Sequence, residues 1–565
     1  MARMTAGQAV VEGLRAEGVD HVFGLIGSCS LEIVDALYDA KEIRFVGSRH
    51  EQAAAHMADA YARLSGKPGV VLVTNGPGAT NLVTGVALAK LAHSPVIALT
   101  GAVMTAQEGK DCFQELDQVA MFRPITKASL RVNRPERIPE VLRHAFRIAL
   151  TGKRGPVHVD IPRDLLYGEA EVDPVEPGAY RPDMRVRPAR DLLERAATLL
   201  ASARAPVILA GGGVKVARAW DAVLALAERL GAPVVTSAGH RDAVPNDHPL
   251  FCGQLGAKGS PLARRLAQQT DLLLAAGTRL GHYTTFYGRD YIGAGARIIQ
   301  IEIDPVEIGR HYPVEVGLLG DVGEVLRELL GLLPSAGGPD VIARRAELEG
   351  LRAAWLEERA RPGEDTSMPL KPARVFAELR QVLPRGTVVT MDVGSVCALA
   401  VEGLDFPEPG TLLGTLDLGA LGFAFPAGLG ARAARPDRAV VSLSGDGAFG
   451  MNALEIETAV RCHLPCVAIV LNNFCWGSEK VYQRDFYEGR YYAVDLGNPP
   501  YDELARLCGA RGYRVERPGE LPQALVEALR AEEPAVIDVI VDPDALAPAA
   551  RRDAVRPRGA RTRPD

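Results

Sequence analysis

Short apolar runs, each followed by a stretch with helical spacing, alternate along almost the whole chain, and no other feature limits the possible folds as tightly. Strands this apolar are buried on both faces, and parallel strands need a helix to cross back over the sheet. The alternation therefore predicts an α/β protein with doubly wound, mainly parallel sheets. In the first block the strands are HVFGLI, IRFVGS, VVLVT and PVIALT, with helices over 52–63 and 81–91, and the block closes near PVHVDIP. A segment rich in Pro and charge, 173–189, reads as a linker. The second block, 191–333, carries PVILA, APVVT, DLLLAAG and RIIQIEID. After a polar stretch with a helical pattern over 340–360, the third block carries TVVTMD, AVVSLSG, CVAIVLNN and AVIDVIV. Three domains are expected, at 1–172, 190–335 and 370–545. A basic tail follows over 546–565, with six Arg against two Asp, and reads as a flexible terminus.

Composition agrees and excludes several classes. With 565 residues, 47% hydrophobic and 24% charged, the chain can bury large cores. A net charge of −6 argues against a chain-wide nucleic-acid surface. No apolar run is long enough to span a membrane, and the first residues lack a signal-peptide pattern, so a cytoplasmic protein is expected. Cys462 and Cys466 have no second pair at metal-ligand spacing, and the eight cysteines read as free thiols.

The chemistry concentrates in two places. In the third block, AVVSLS runs into Gly445-Asp446-Gly447, a helix is expected over 452–462, and the next strand ends in Asn472-Asn473. Right-handed crossover puts both strand ends on one edge of the sheet, where open α/β sheets bind ligands. A carboxylate from Asp446 and an amide oxygen from Asn473 then meet at one point. Hard oxygen ligands suit Mg²⁺ bound to a phosphate, and Gly445 and Gly447 let the backbone approach it. An Asp-Gly turn alone is common; GDG, 24 residues and NN across one βαβ unit is far more specific. In the first block, Glu51 closes Arg49-His50-Glu51 at the start of a helix, and Thr74-Asn75-Gly76-Pro77-Gly78-Ala79-Thr80-Asn81 follows the strand VVLVT. Read alone, Glu51 is better explained as a charge favoured in a first helical turn.

Together these segments resemble the thiamin diphosphate-dependent, acetolactate synthase-like enzymes. The resemblance spans the chain and implies pyrimidine-binding, central Rossmann-like and diphosphate-binding domains. It implies Mg²⁺ held by Asp446, Asn473 and the backbone oxygen of Cys475. It places Gly394, Ser395, Gly447 and Ala448 at the diphosphate, and Gly27, Ser28, Pro77, Asn81, Gly445, Trp476 and Gly477 along the cofactor. Gly419 and Leu421, in GTLDLGALGF, match the segment that holds the aminopyrimidine edge, with Leu421 wedged between the two rings. Glu51 matches the glutamate on the aminopyrimidine, whose carboxyl favours the imino tautomer and so lets the cofactor take up its own thiazolium proton. Phe113 and Gln114 would border the reactive carbon. The family builds each site from the first block of one subunit and the third block of another, which implies a homodimer or homotetramer.

Within the family, two features depart from acetolactate synthases. Tyr283 stands where an arginine clamps the acceptor keto acid, and Tyr482 replaces a tryptophan, which puts a second 2-oxoacid in doubt. Gly24-Leu25-Ile26-Gly27-Ser28, the run HPLFCG from His248 and Trp476-Gly477-Ser478-Glu479-Lys480 resemble the sulfoacetaldehyde acetyltransferases. These convert sulfoacetaldehyde and phosphate to acetyl phosphate and sulfite. Ser28, Gln114 and Lys480 are then candidate substrate contacts, Lys480 being equally a surface lysine. Gly211-Gly212-Gly213 is not a GxGxxG fingerprint, and FAD is not expected. The alternatives are a carboligase acting on pyruvate and a non-catalytic binding homologue. The second is disfavoured because Glu51, Asp446 and Asn473 are all present.

Overall fold

In the computed structural model, which describes residues 2–172, 175–182, 184–334 and 339–547, the apolar runs become three six-stranded sheets, each with all its strands parallel. The first contains His21–Leu25, Arg44–Gly47, Gly69–Val73, Val96–Ala102, Ala128–Arg131 and Val157–Pro162. Counted along the chain, they lie in the spatial order second, first, third, fourth, sixth, fifth. The third sheet contains Val388–Met391, Leu412–Gly414, Val440–Gly445, Val467–Asn472, Arg511–Val515 and Ala535–Ile540, and repeats that order. The central sheet, from Pro206–Ala210 to Val316–Leu319, runs third, second, first, fourth, fifth, sixth, the dinucleotide-fold order. An antiparallel ribbon, Ala2–Thr5 on Glu169–Val172, joins the beginning of the first domain to its end. Among the described residues, no helix is long and apolar enough to cross a membrane. Of the expected tail, only residues 546 and 547 lie within the described residues.

Two expectations need correction. The helix anticipated over 452–462 is present as Glu455–Arg461, and a separate short helix, Asp446–Met451, which the sequence did not suggest, precedes it. The break frees Asn452, whose side-chain amide donates to the Gly422 carbonyl at 2.7 Å and fixes the turn that carries Leu421. The second correction concerns sheet edges: Ala128–Arg131, Phe251–Gln254, Val316–Leu319, Leu412–Gly414 and Arg511–Val515 are edge strands that the apolar pattern does not reveal.

The first and third domains share one core. Helix Glu51–Ser65 packs on helix Ala424–Ala434, and its Ala53, Ala54, Met57, Ala58 and Ala60 are buried in the core that the two domains share. The approach is so close that a Cβ on Gly430 would fall 2.1 Å from the Met57 carbonyl oxygen. Residues 412–417, leading to the Leu421 turn, are held by cations from both other domains. Arg63 donates to the Gly414 carbonyl at 2.9 Å, Lys215 to the Leu412 carbonyl at 2.7 Å, and Arg279 pairs with Asp417 at 2.7 Å.

Candidate functional site: two half-sites in one chain

In both the first and the third sheets the strand order reverses between the first and third strands, the place where open α/β sheets bind ligands. In the third sheet that point carries Gly394-Ser395 after one strand and Asp446-Gly447 after the other. Helices Ser395–Gly403, Asp446–Met451 and Gly477–Phe486 all begin there, and none has a side-chain cap. Their first-turn N–H groups are left for an anion, and their dipoles favour one. Ser395 Oγ is buried and finds no hydrogen-bond partner. The glycines keep the three starts close: a Cβ on Gly447 would meet Trp476 Cζ3 at 2.5 Å, and one on Gly477 would meet Ser395 Oγ at 2.5 Å.

Beside these starts, one end of the Asn473 side-chain amide lies 3.1 Å from both Asp446 Oδ1 and the Cys475 carbonyl oxygen. As an NH2 that end donates to both. Turned to present its oxygen, it would complete a three-oxygen set suited to a hard divalent cation. Asp446 also accepts a 2.7 Å bond from Asn498, and burial pushes its carboxyl up to about 6. Asn498 donates in addition to Asn472 Oδ1 at 3.2 Å. Asp392, at the end of the first strand, accepts from the Phe423 and Ala424 N–H groups at 3.1 and 3.0 Å, anchoring the segment after Leu421; burial pushes it, too, up to about 6. Sequence reasoning missed Asn498 and Asp392; only the strand-end position of Asp392 hinted at a role.

The first-domain half is built around Glu51, which opens its helix and is 7% exposed. Its carboxylate accepts from Asn81 Nδ2 at 2.9 Å. Gly76 needs to be glycine: its φ is +56°, and a Cβ would meet Gln114 Cβ at 2.8 Å. Asn75 Nδ2 donates to the Gln114 carbonyl at 3.1 Å. Gln118, another residue missed, accepts from the Gly76 N–H at 2.8 Å and donates to Asp160 and the Gly101 carbonyl beneath. Gly27 packs on Thr74, while Ser28, Pro77 and Asn81 open to the surface. Phe113 stands out at 86% exposure.

The two halves do not share one cavity. A cleft of about 1700 Å³ is walled by Gly394, Ser395, Gly419, Leu421, Gly445, Asp446, Gly447, Ala448, Asn473, Cys475, Trp476 and Gly477. The central domain adds Lys215, His240 and Tyr283 to its wall. Gly27, Ser28, Glu51, Pro77, Asn81, Phe113 and Gln114 are not on it. Lys480 is not brought in either. It pairs with Asp544 at 2.9 Å and donates to the Pro543 carbonyl, whereas its helix neighbours Glu479 and Tyr482 line the cleft. The seven cysteines whose side chains are described are free thiols, and among the described residues no cluster of His, Cys, Asp and Glu is arranged to hold a metal.

Sequence comparison agrees with this division. Residues 4–121 match the N-terminal TPP binding domain of thiamine pyrophosphate enzymes, 193–329 the central domain, and 392–539 the C-terminal TPP binding domain. The chain belongs to the thiamine pyrophosphate (thiamin diphosphate) enzyme family and is an enzyme dependent on that cofactor. Among its relatives is a probable acetolactate synthase large subunit of Methanocaldococcus jannaschii, 38% identical over 96% of this chain and 92% of the relative. A sulfoacetaldehyde acetyltransferase of Alcaligenes xylosoxydans xylosoxydans is 39% identical over 93% of this chain and 90% of the relative. The acetolactate synthase large subunit of Haemophilus influenzae is 36% identical over 96% of this chain and 95% of the relative.

Proposed function

We propose that the chain is a thiamin diphosphate- and Mg²⁺-dependent acyltransferase that releases sulfite from sulfoacetaldehyde and passes the acetyl group to phosphate. The observation that carries this reading is that Tyr283 and Tyr482 both line the cleft. In acetolactate synthases the position of Tyr283 carries the arginine that clamps the carboxylate of a second 2-oxoacid and that of Tyr482 a tryptophan lining the acceptor site; a tyrosine at 283 offers no bidentate fork. Similarity alone does not choose between the branches, since relatives of both kinds lie at 38–39% identity.

The residues present fit the cofactor. The uncapped helix starts at Ser395 and Gly477, the free Ser395 hydroxyl and the turn at Gly445-Asp446-Gly447-Ala448 suit a diphosphate. Asp446, Asn473 and the Cys475 carbonyl suit its Mg²⁺. Leu421 and the Gly419 backbone would set the angle between the two rings. When bound, the cofactor supplies a carbon nucleophile and an electron sink. Glu51 would share a proton with the aminopyrimidine ring, and Phe113 and Gln114 would shield the reactive carbon from water. Because Glu51 and Asp446 belong to separate half-sites, the working unit in this reading is at least a homodimer. Each of its sites pairs the first domain of one subunit with the third domain of the other. An 86% exposed Phe113 next to Gln114 supports this, since such a side chain gains most from a covering surface.

The test is to load the protein with thiamin diphosphate and Mg²⁺ and to offer sulfoacetaldehyde with phosphate, or pyruvate alone. Sulfite and acetyl phosphate are expected. Acetolactate or carbon dioxide from pyruvate, with no sulfite from the first mixture, would transfer the chain to the carboligase branch.

A further inference from the structure

We propose that Glu455 is the positioning residue for Glu51. This rests on the reading of Glu51 given above and adds a residue that neither motif contains. Glu455 opens helix Glu455–Arg461 in the third domain and is 1% exposed. Its Oε1 accepts from the backbone N–H groups of both Arg49 and His50, at 3.0 Å each, and its Oε2 accepts from Thr458 Oγ1 at 2.6 Å. Arg49 and His50 are the last residues before helix Glu51–Ser65. Helix starts leave such donors without an internal partner. Here one carboxylate oxygen takes two consecutive donors, which fixes the direction in which the backbone enters Glu51.

The same helix grips the approach to this turn at its other end. Arg461 Nη2 donates to the Gly47 carbonyl at 2.6 Å, and Arg44 donates to the Cys462 carbonyl. Residues 44–50 are thus bracketed by Glu455 on one side and by Arg461 and Cys462 on the other. This helix lies on the crossover between Val440–Gly445 and Val467–Asn472, the unit that carries Asp446 and Asn473. The element that carries the candidate metal ligands therefore also sets the backbone of the candidate base. Asn81 holds the Glu51 carboxylate and Glu455 holds the backbone that leads into it, so the aim of Glu51 depends on both. Small misplacements of a reacting group are costly in rate even when binding survives.

The experiment compares Glu455→Ala and Glu455→Gln in the full-length protein loaded with thiamin diphosphate and Mg²⁺. It measures hydrogen–deuterium exchange at the thiazolium carbon of the bound cofactor, together with cofactor Kd and Tm. Glu455→Ala is expected to slow exchange by at least about tenfold while Kd stays within about threefold. Glu455→Gln keeps an oxygen for the same two N–H groups and is expected to exchange within about threefold of the parent. Parental exchange in Glu455→Ala, or exchange in Glu455→Gln as slow as in Glu455→Ala, would overturn the proposal. If Glu455→Ala does not fold, Glu455→Asp, which withdraws the oxygen by one methylene, takes its place with the same expectation. Glu51→Gln measured alongside separates the two claims. If it exchanges normally, the role of Glu51 fails and this proposal with it. If it is slow while Glu455→Ala is not, only the present proposal fails.

Discussion

Asp446 Oδ1 and the side-chain amide of Asn473 lie 3.1 Å apart, at the ends of neighbouring parallel strands that pair Gly445 with Leu471. The crossover between those strands makes the contact.

Removing the carboxylate should cost the cation and, through it, the diphosphate. Asp446→Ala is expected to weaken Mg²⁺-dependent cofactor binding at least about 100-fold, or about 2.7 kcal/mol. The thermal stabilisation that cofactor and Mg²⁺ give the parent should shrink accordingly. A variant stabilised by both ligands as strongly as the parent would remove Asp446 from the metal set.

Loading should also release protons over a defined range. Burial raises Asp446 from 3.8 to about 6, so the folded protein without metal binds a proton that the unfolded chain does not. The stabilisation from that proton is complete below pH 3.8 and is lost as pH rises through about 6. A cation competes for the same oxygen. Roughly half a proton per chain should be released on Mg²⁺ loading at pH 6, and close to none at pH 8. Calorimetry in two buffers of different ionisation enthalpy measures this, and equal release at both pH values would contradict it.

Two dead variants should rescue one another. Glu51→Gln is expected to retain the cofactor and lose nearly all turnover, and Asp446→Ala to lose both. If each site draws on two subunits, a mixed dimer carries one doubly damaged site and one intact site. Co-refolding equal amounts should then recover about a quarter of parental activity. No recovery, with mixed dimers demonstrated, would place both residues in one subunit's site.

The seam between the first and third domains should tolerate no added atom. A methyl on Gly430 would lie 2.1 Å from the Met57 carbonyl oxygen and 2.7 Å from its Cα, both backbone atoms that cannot turn aside. Gly430→Ala is expected to destabilise the protein by about 3 kcal/mol, at the upper end for overpacking, seen as a lower midpoint in urea unfolding. An unchanged midpoint would show that the helices can separate freely.

Interior strands were legible because burial on two faces demands an apolar run. Apart from Arg44–Gly47, edge strands were not: Arg511–Val515 carries two arginines and a glycine, which a strand paired on one side accommodates. The GDG and NN motifs were legible because their residues are close in sequence and their crossover has one hand. Asn498, Asp392, Gln118 and Glu455 were not, since their partners are set by sheet order rather than by spacing. Lys480 illustrates the converse. It is adjacent to lining residues in sequence, but one step along a helix turns a side chain by about 100°. That step carries it from the cleft to Asp544.

The pairing of helix Glu51–Ser65 with Ala424–Ala434 has a consequence for how the chain is made. The cover for the first helix is synthesised roughly 360 residues after it. At 5–20 residues per second, a ribosome needs about 20 to 70 s to deliver it. For that interval the alanine-rich face that carries Met57 has no third domain against which to close. The nascent chain must shield it by other means, and the first domain made alone would keep it bare.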